Sequence, residues 1–312
     1  MIVYQYPTTQ KPNIDGCVLA LGFFDGVHIA HRDLLSAARE IADERGLSFG
    51  IFTFGSSGGI KIGAQRLYDD LEKAELFESL GADFTVYADF SAVSGLSPED
   101  FVKKTLCEEL NCRVCVAGFN FRFGKGAVAD SARLSDLMNE AGGKAVIRNE
   151  ITADGITLSA TLIRRLITEG QIEEANKLLG SPYYIKGRVC HGRKDGRKLG
   201  FPTANVIIGE DRITPKSGVY RSAVVIDEKI YGGVSNIGRC PTFDGEEIRL
   251  ETHIIGYEGD LYEKEMKVYL LGYLREEKRF GSLDELKEQI SKDKYRAINE
   301  NGEITWQELG LK

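Results

Sequence analysis

The sequence predicts two successive domains, an α/β domain over residues 1–182 built on a parallel sheet and a β-rich domain over residues 183–312. Three observations predict this. At 312 residues the chain exceeds the ~100–200 residues that one core usually organises. Up to about residue 180, short apolar runs alternate with amphipathic helical stretches, the pattern of a parallel sheet covered by helices. Beyond it, β-rich segments separated by Gly and Asp turns replace the alternation, the pattern of a compact antiparallel barrel.

The elements follow in order. CVLALG, residues 17–22, is a buried strand, and a Gly/Asp turn leads into HRDLLSAAREIADERG, where Leu34, Leu35, Ala38 and Ile41 recur at helical spacing. LSFGIFTF reads as the second strand, and Leu67 to Leu80 as a helix stopped by Gly81. FTVYADF is the third strand. SPEDFVKKTLCEEL reads as a helix capped by Ser97 with Pro98 at its first position, and RVCVAGF as the fourth strand. The helices SATLIRRLITEG and QIEEANKLLG end the alternation. In the second domain YYIKGRVC, GVYRSAVVIDEKIYGGVSNIG, IRLETHIIGYEG and MKVYLLGYL supply strands. SLDELKEQISKD then closes the domain as an amphipathic helix with Leu283, Leu286 and Ile290 on one side.

Composition excludes several classes of partner. The formal charge is −7, with 25 acidic against 18 basic residues in 1–182 and 22 against 22 in 183–312, so there is no broad basic surface for nucleic acid or anionic membranes. No uncharged apolar stretch reaches the ~18 residues of a membrane span, and MIVYQYPTTQKPNIDG lacks the basic and apolar regions of a secretory signal. The six cysteines are scattered rather than arranged as a disulfide framework, so the expected setting is cytoplasmic with reduced thiols. Cys112 and Cys115 form a CxxC in a strand, where positions three apart point to opposite faces. No second ligand pair follows, and the two are read as ordinary cysteines.

Two segments carry chemistry. GFFDGVHIAH, residues 22–31, stands where the first strand meets the first helix, the end at which open α/β sheets bind ligands. Gly22, Asp25 and Gly26 shape the turn, and His28 and His31 sit three apart at the helix start beside unpaired N–H groups that attract phosphate. The same two histidines read alternatively as part of a zinc site lacking its third ligand, or as helix-start residues with no role. In GRVCHGRKDGRKLGFPTANV, residues 187–206, Gly187, Gly192 and Gly200 expose backbone amides beside Arg197, as an ATP polyphosphate requires. A Walker lysine motif is absent, which excludes an ordinary P-loop. Thr203 and Asn205 alternate on one side of an extended strand and offer two neutral oxygens to Mg2+. The competing reading is a surface hairpin with turn glycines and solvating charges.

The histidine spacing resembles the HxGH signature of nucleotidyltransferases, and FDGVH looks like the N-terminal domain of prokaryotic bifunctional riboflavin kinase/FAD synthetases. GFNFRFGKG at 118–126 and LSATLIRRL at 158–166 resemble that family's second and third signatures. GRKLGFPTAN matches its riboflavin kinase signature and is followed by SGVYR, YGGVSNIGRCPTF, LETHI and LREEKRF, so the likeness covers essentially all of 183–293. The resemblance implies a Rossmann-like FMN adenylyltransferase domain and a six-stranded-type antiparallel β-barrel riboflavin kinase domain with a C-terminal helix. Riboflavin, FMN and ATP would be the substrates and Mg2+ the metal.

On that resemblance His28 and His31 embrace ATP phosphates, Asn120 contacts the nucleotide or flavin, and Arg164 neutralises phosphate. Riboflavin lies in the barrel, Glu251 is the general base toward the ribityl hydroxyl, Arg275 holds nucleotide or flavin, and Asn236 shapes the nucleotide loop. Taken alone, Glu251 reads as one side of a cross-strand salt bridge. Three positions depart from the family pattern: Ala30 replaces a glycine, TFGSSGG from Thr53 to Gly59 replaces a proline-containing loop, and Ala160 replaces a serine. They motivate one alternative, a kinase whose first domain only binds nucleotide or flavin; a separate alternative is a flavin-binding protein that uses the barrel pocket without turnover.

Overall fold

The computed structural model describes residues 1–7, 14–55, 65–153, 156–192, 200–242, 245–299, 304–307 and 309–310. The chain divides into two compact units, Met1–Ala160 and Thr161–Lys312. This division precedes the sequence boundary at 182/183 because the helices after Ala160 are tied to the barrel. Asn176 Nδ2 donates to the Leu270 carbonyl at 2.8 Å, and the Lys216 N–H donates to the Ile167 carbonyl at 3.2 Å.

The strands of the first unit are β1 (Ile2–Tyr6), β2 (Cys17–Leu21), β3 (Ser48–Phe54), β4 (Phe84–Ala88), β5 (Cys112–Gly118) and β6 (Lys144–Arg148). They form one sheet in the order β1-β4-β3-β2-β5-β6, and every pairing is parallel. Each of the five positions of β2 and of β4 is buried, which is why both read as continuous apolar runs. One core, with Leu19, Phe52, Val86 and Leu134, fills one face, and a second, with Val18, Leu35, Ile51 and Val114, fills the other.

The helices are α1 (Ile29–Arg45), α2 (Asp70–Ser79), α3 (Phe90–Ser94), α4 (Pro98–Asp100) and α5 (Ser131–Glu140); β7 (Thr152–Ala153) and β8 (Ile156–Thr157) form a small antiparallel pair. Three local expectations change. Helix α2 starts at Asp70 rather than Leu67, because Asp69 caps it in a reciprocal box with Glu72. Ser97 does cap α4, accepting from the Asp100 N–H at 3.0 Å, but the chain continues from Phe101 to Glu109 as a π-helix. Cys112 and Cys115 do not face opposite ways. Cys17 pairs with Cys112 but Val18 pairs with Val114, so Arg113 is bulged and both cysteines join Cys17 in one core. Burial there pushes both thiols above the ordinary cysteine range.

The second unit contains α6 (Ala160–Glu169), whose first residue ends the first unit, then α7 (Ile172–Leu179), β9 (Tyr184–Arg188), β10 (Ala204–Ile208), β11 (Gly218–Ile226), β12 (Lys229–Thr242), β13 (Gly245–Ile254), β14 (Glu265–Arg275) and α8 (Leu283–Asn299). The sheet order is β10-β13-β12-β11-β14-β9, antiparallel throughout. An isolated bridge from Cys190 to Asn205 brings the chain after β9 against β10, so the sheet is a nearly closed six-stranded barrel.

Across β11, β12 and β13 the hydroxyls of Ser222, Ser235 and Thr252 form a fully buried chain with links of 2.7 and 2.8 Å. Strand alternation puts Asn236 and Glu251 on the opposite face, toward α8. That helix contributes Leu286, Ile290 and Asp293 to this side, and Ala297 packs with Val219 and Val234. Leu283, expected with them, is 67% exposed because the helix meets the barrel only from Leu286 onward.

Candidate functional site

In the first unit β3 and β4 lie to one side of β2 while β5 and β6 lie to the other, so the chain order reverses at β2. Crevices form beyond the carboxyl ends of strands at such a point. GFFDGVHIAH leaves β2 there, and Asn120, exposed in the turn after β5, follows the neighbouring strand end.

The turn is sharply folded. Gly26 takes φ 81°, a region glycine adopts without steric cost, and Phe24 and Val27 are also left-handed at φ 50° and 43°. Phe24 is buried in the space above Gly22, where a Cβ would lie 2.9 Å from its ring. The Leu67 N–H donates to Asp25 Oδ1 at 3.2 Å, and Thr53 Oγ1 donates to the Phe23 carbonyl at 3.0 Å, which brace the turn from outside.

His28 is the N-cap of α1, its Nδ1 accepting from the His31 N–H at 3.4 Å. Nδ1 is therefore the bare nitrogen, and the neutral ring carries its proton on Nε2. The two imidazoles stack with centroids 3.6 Å apart and planes 15° apart, and Phe24 meets His31 edge-on at 5.2 Å. Burial lowers His28 to about 4. Burial, with His28 beside it, also holds His31 well below the ordinary histidine value. Both rings are neutral at pH 7. Among the described residues His31 Nδ1 is buried without a hydrogen-bond partner. An orphaned polar atom at the N-terminus of a 17-residue helix fits a polar, anionic ligand. Ala30 is half-buried between the two histidines.

Sequence reasoning missed Lys73. It is 6% exposed, donates to the Phe54 carbonyl at 3.1 Å, pairs with Asp70 at 3.4 Å, and lines a small cavity with Phe23, Asp25 and Arg66. Burial lowers its pKa. In the charged stretch LEKAEL nothing distinguishes it from a surface lysine. Of TFGSSGG, Thr53 is buried and Gly55 half-buried, while Ser56 to Gly59 lie outside the described residues. Arg164 lies half-buried on α6, within the second unit, and Ala160 opens that helix.

In the second unit the principal cavity, about 410 Å³, lies outside the barrel, between its outer face and α8. Riboflavin was expected inside the barrel, but the inner face is filled by buried side chains such as Tyr220, Ser222, Ser235, Leu250 and Thr252. Glu251, Asn236, Thr203 and Arg275 all line the outer cavity. Register explains the convergence: Glu251 of β13 is paired with Asn205 of β10 on one side and Asn236 of β12 on the other. Asn236 Nδ2 donates to Glu277 Oε1 at 3.1 Å.

Arg275 forms a two-pronged ion pair with Asp293 of α8, through Nε at 3.1 and 3.0 Å and a terminal nitrogen at 2.7 Å, and Gln289 donates to Asp293 at 2.9 Å. Asp293 is 1% exposed, so the pair fastens α8 over the cavity. The sequence hides Asp293 among the charges of SKDKY.

A second cavity, about 70 Å³, is lined by Val189, Pro202, Thr203, Thr252 and the 257–262 turn, so Thr203 borders both. Asn205 is 4% exposed, and its Oδ1 has no hydrogen-bond partner among the described residues. Gly192 leaves room for this amide: a Cβ there would sit 2.7 Å from it, so any larger residue would displace Asn205. Gly187 abuts Val206, Gly200 has φ 85°, and Arg197 lies outside the described residues.

Comparison with known proteins agrees with this division. Residues 10–162 match the FAD synthetase family model and residues 179–300 the riboflavin kinase family model. A curated protein of Bacillus subtilis (strain 168), "Bifunctional riboflavin kinase/FMN adenylyltransferase", is 35% identical over 290 residues, 90% of this chain and 91% of the relative. The protein of the same description from Escherichia coli (strain K12) is 35% identical over 296 residues, 93% and 94% of the two chains. A solved structure described as a macrolide-efflux protein from Streptococcus pneumoniae matches with TM-score 0.85 and 29% identity, covering 96% of this chain and 99% of that one. In this chain no helix among the described residues is long and apolar enough to cross a membrane.

Proposed function

Because this chain belongs to the family of bifunctional riboflavin kinases/FMN adenylyltransferases, we propose that its second unit phosphorylates riboflavin with ATP and its first adenylylates the FMN produced. The observation that carries the kinase reading is the pair of cavities sharing Thr203, with Glu251 facing the larger one. At about 410 Å³ the larger cavity falls within the ~300–1,000 Å³ of small-molecule sites. Riboflavin fits here and the ATP polyphosphate beyond Thr203. Glu251 takes the proton of the ribityl 5′-hydroxyl as its oxygen attacks the γ-phosphorus, and ADP leaves.

Mg2+ fits this boundary, since Thr203 and Asn205 offer hard neutral oxygens and the buried Asn205 Oδ1 has no donor among the described residues. Bound there, the ion would offset charge on the β and γ oxygens. The lack of a side chain at Gly192 leaves space for the Asn205 amide, and Asn236 and Arg275 complete the wall around the flavin.

In the first unit the FMN phosphate, already an anion, attacks the α-phosphorus of a second ATP and pyrophosphate leaves, so no general base is required. His28 Nε2–H and His31 donate to the phosphate oxygens as charge shifts between them, while the start of α1 adds its free N–H groups. Asn120 is assigned to the nucleotide or flavin. The functional boundary is placed at 182/183, which keeps the LSATLIRRL signature with the transferase although α6 and α7 pack with the barrel. Six free cysteines support a cytoplasmic setting.

The test supplies purified protein with riboflavin, ATP and Mg2+ and separates the products. FMN, FAD and pyrophosphate are expected. FMN without FAD reduces the first unit to a binding module, and neither product overturns the proposal.

A further inference from the structure

His253 stands two residues after Glu251 on β13, so the two side chains share the face that looks onto the larger cavity. Its Nδ1 lies 3.0 Å from the Pro202 carbonyl oxygen. A carbonyl can only accept, so the proton is on Nδ1, and Phe201 packs edge-on against the ring with centroids 5.4 Å apart. These contacts tie the strand that carries Glu251 to the residue preceding Thr203. The other nitrogen, Nε2, is buried and has no hydrogen-bond partner among the described residues. Burial, with Lys294 nearby, lowers the ring's pKa, so Nε2 is a bare acceptor at neutral pH. A buried acceptor on a cavity wall calls for a donor from the cavity's occupant.

We propose that His253 positions the riboflavin substrate, its Nε2 accepting a hydrogen bond from a ribityl hydroxyl while its Nδ1–H holds the Pro202 carbonyl beside Thr203. This rests on the kinase reading above and adds a recognition element for the polyol chain. The flavin ring presents no comparable array of hydroxyl donors, so the contact selects for the chain that carries the reacting oxygen. One strand thus presents two functions two residues apart, Glu251 to take the proton and His253 to hold the chain in register.

Two substitutions separate the two nitrogens, since Asn can reproduce the Nδ1–H donor and Gln can place an acceptor near Nε2. His253→Asn is expected to raise KM for riboflavin about tenfold, the worth of one buried hydrogen bond, with KM for ATP within twofold of wild type. His253→Gln is expected to leave KM for riboflavin within about threefold and to raise KM for ATP, because the Pro202 tether is lost. Lumiflavin, a flavin ring without the ribityl chain, should bind wild type and His253→Asn equally in a fluorescence titration. The inference is overturned if His253→Asn leaves KM for riboflavin within twofold, or if lumiflavin binding weakens in parallel with riboflavin. Absence of FMN formation by the wild-type protein in the same panel would instead overturn the kinase reading itself.

Discussion

Replacing His28 with Asn isolates the ring's titration from its structural role, because Asn is also a good N-cap acceptor for the His31 N–H. In the folded protein His28 titrates at about 4, lowered from 6.5 by burial. The unfolded chain therefore binds a proton through a pH range in which the folded chain does not. The sign follows: His28 costs nothing above pH 6.5, and stability falls as pH drops from there toward 4. For that pair of values the loss is about 2 kcal/mol at pH 5 and about 3 kcal/mol at pH 4, where it approaches its limit. Urea unfolding of wild type and His28→Asn at pH 7, 6, 5 and 4, followed by far-UV circular dichroism, measures the difference. Carboxylate titrations common to both proteins cancel. The stability curves should converge on acidification, wild type losing about 3 kcal/mol more than the variant between pH 7 and pH 4. Curves that stay parallel would refute the neutral, buried ring. FAD formation from FMN should fall in His28→Asn at every pH, because Asn has no donor where Nε2–H stood.

Three further outcomes test the second unit. Glu251→Gln keeps the shape of the cavity wall but cannot accept a proton, so kcat for riboflavin phosphorylation should fall about 10²- to 10⁴-fold while FAD formation from supplied FMN continues. Asp293→Asn leaves the Arg275 guanidinium half-buried without its countercharge. Unfolding free energy should drop by about 3 kcal/mol and riboflavin should bind more weakly as α8 loosens, measured by chemical denaturation and flavin fluorescence. Ser235→Ala removes the central hydroxyl of the Ser222–Ser235–Thr252 chain and should cost about 1–3 kcal/mol in the same denaturation assay, with KM for riboflavin unchanged because none of the three lines the larger cavity.

Much of this was legible because neighbouring residues carry it. Apolar runs, a Gly/Asp turn and helical spacing place His28 and His31 at a strand-to-helix junction, and strand alternation places Thr203 with Asn205. What resisted reading depends on partners far along the chain. Strand β1 exposes Ile2 and Val3 at the sheet edge, and β6 is only half-buried at four of its five positions, so neither shows a buried run. The orientation of Cys112 depends on the pairing shift at Cys17. The position of the larger cavity depends on α8 lying against the barrel, which SLDELKEQISKD alone does not disclose. Asp293 reads as one more surface charge until Arg275, 18 residues earlier, is brought to it. His253 had a usable signal: the same period of two that places Thr203 with Asn205 places it with Glu251.

The isolated bridge from Cys190 to Asn205 makes the barrel's seam and the proposed metal ligand the same piece of backbone. Elsewhere adjacent strands are laced by runs of paired residues; at the seam the described residues show one rung. A nucleotide and ion gripped by Thr203 and Asn205 would therefore act as a clasp on the cylinder. Ligand present at 100 times its Kd adds about 2.7 kcal/mol to the folded state. Much of that gain would be felt as resistance of the seam to opening. With such a clasp, substrate occupancy and the mechanical closure of the barrel would become one variable, and an empty site would leave a looser seam.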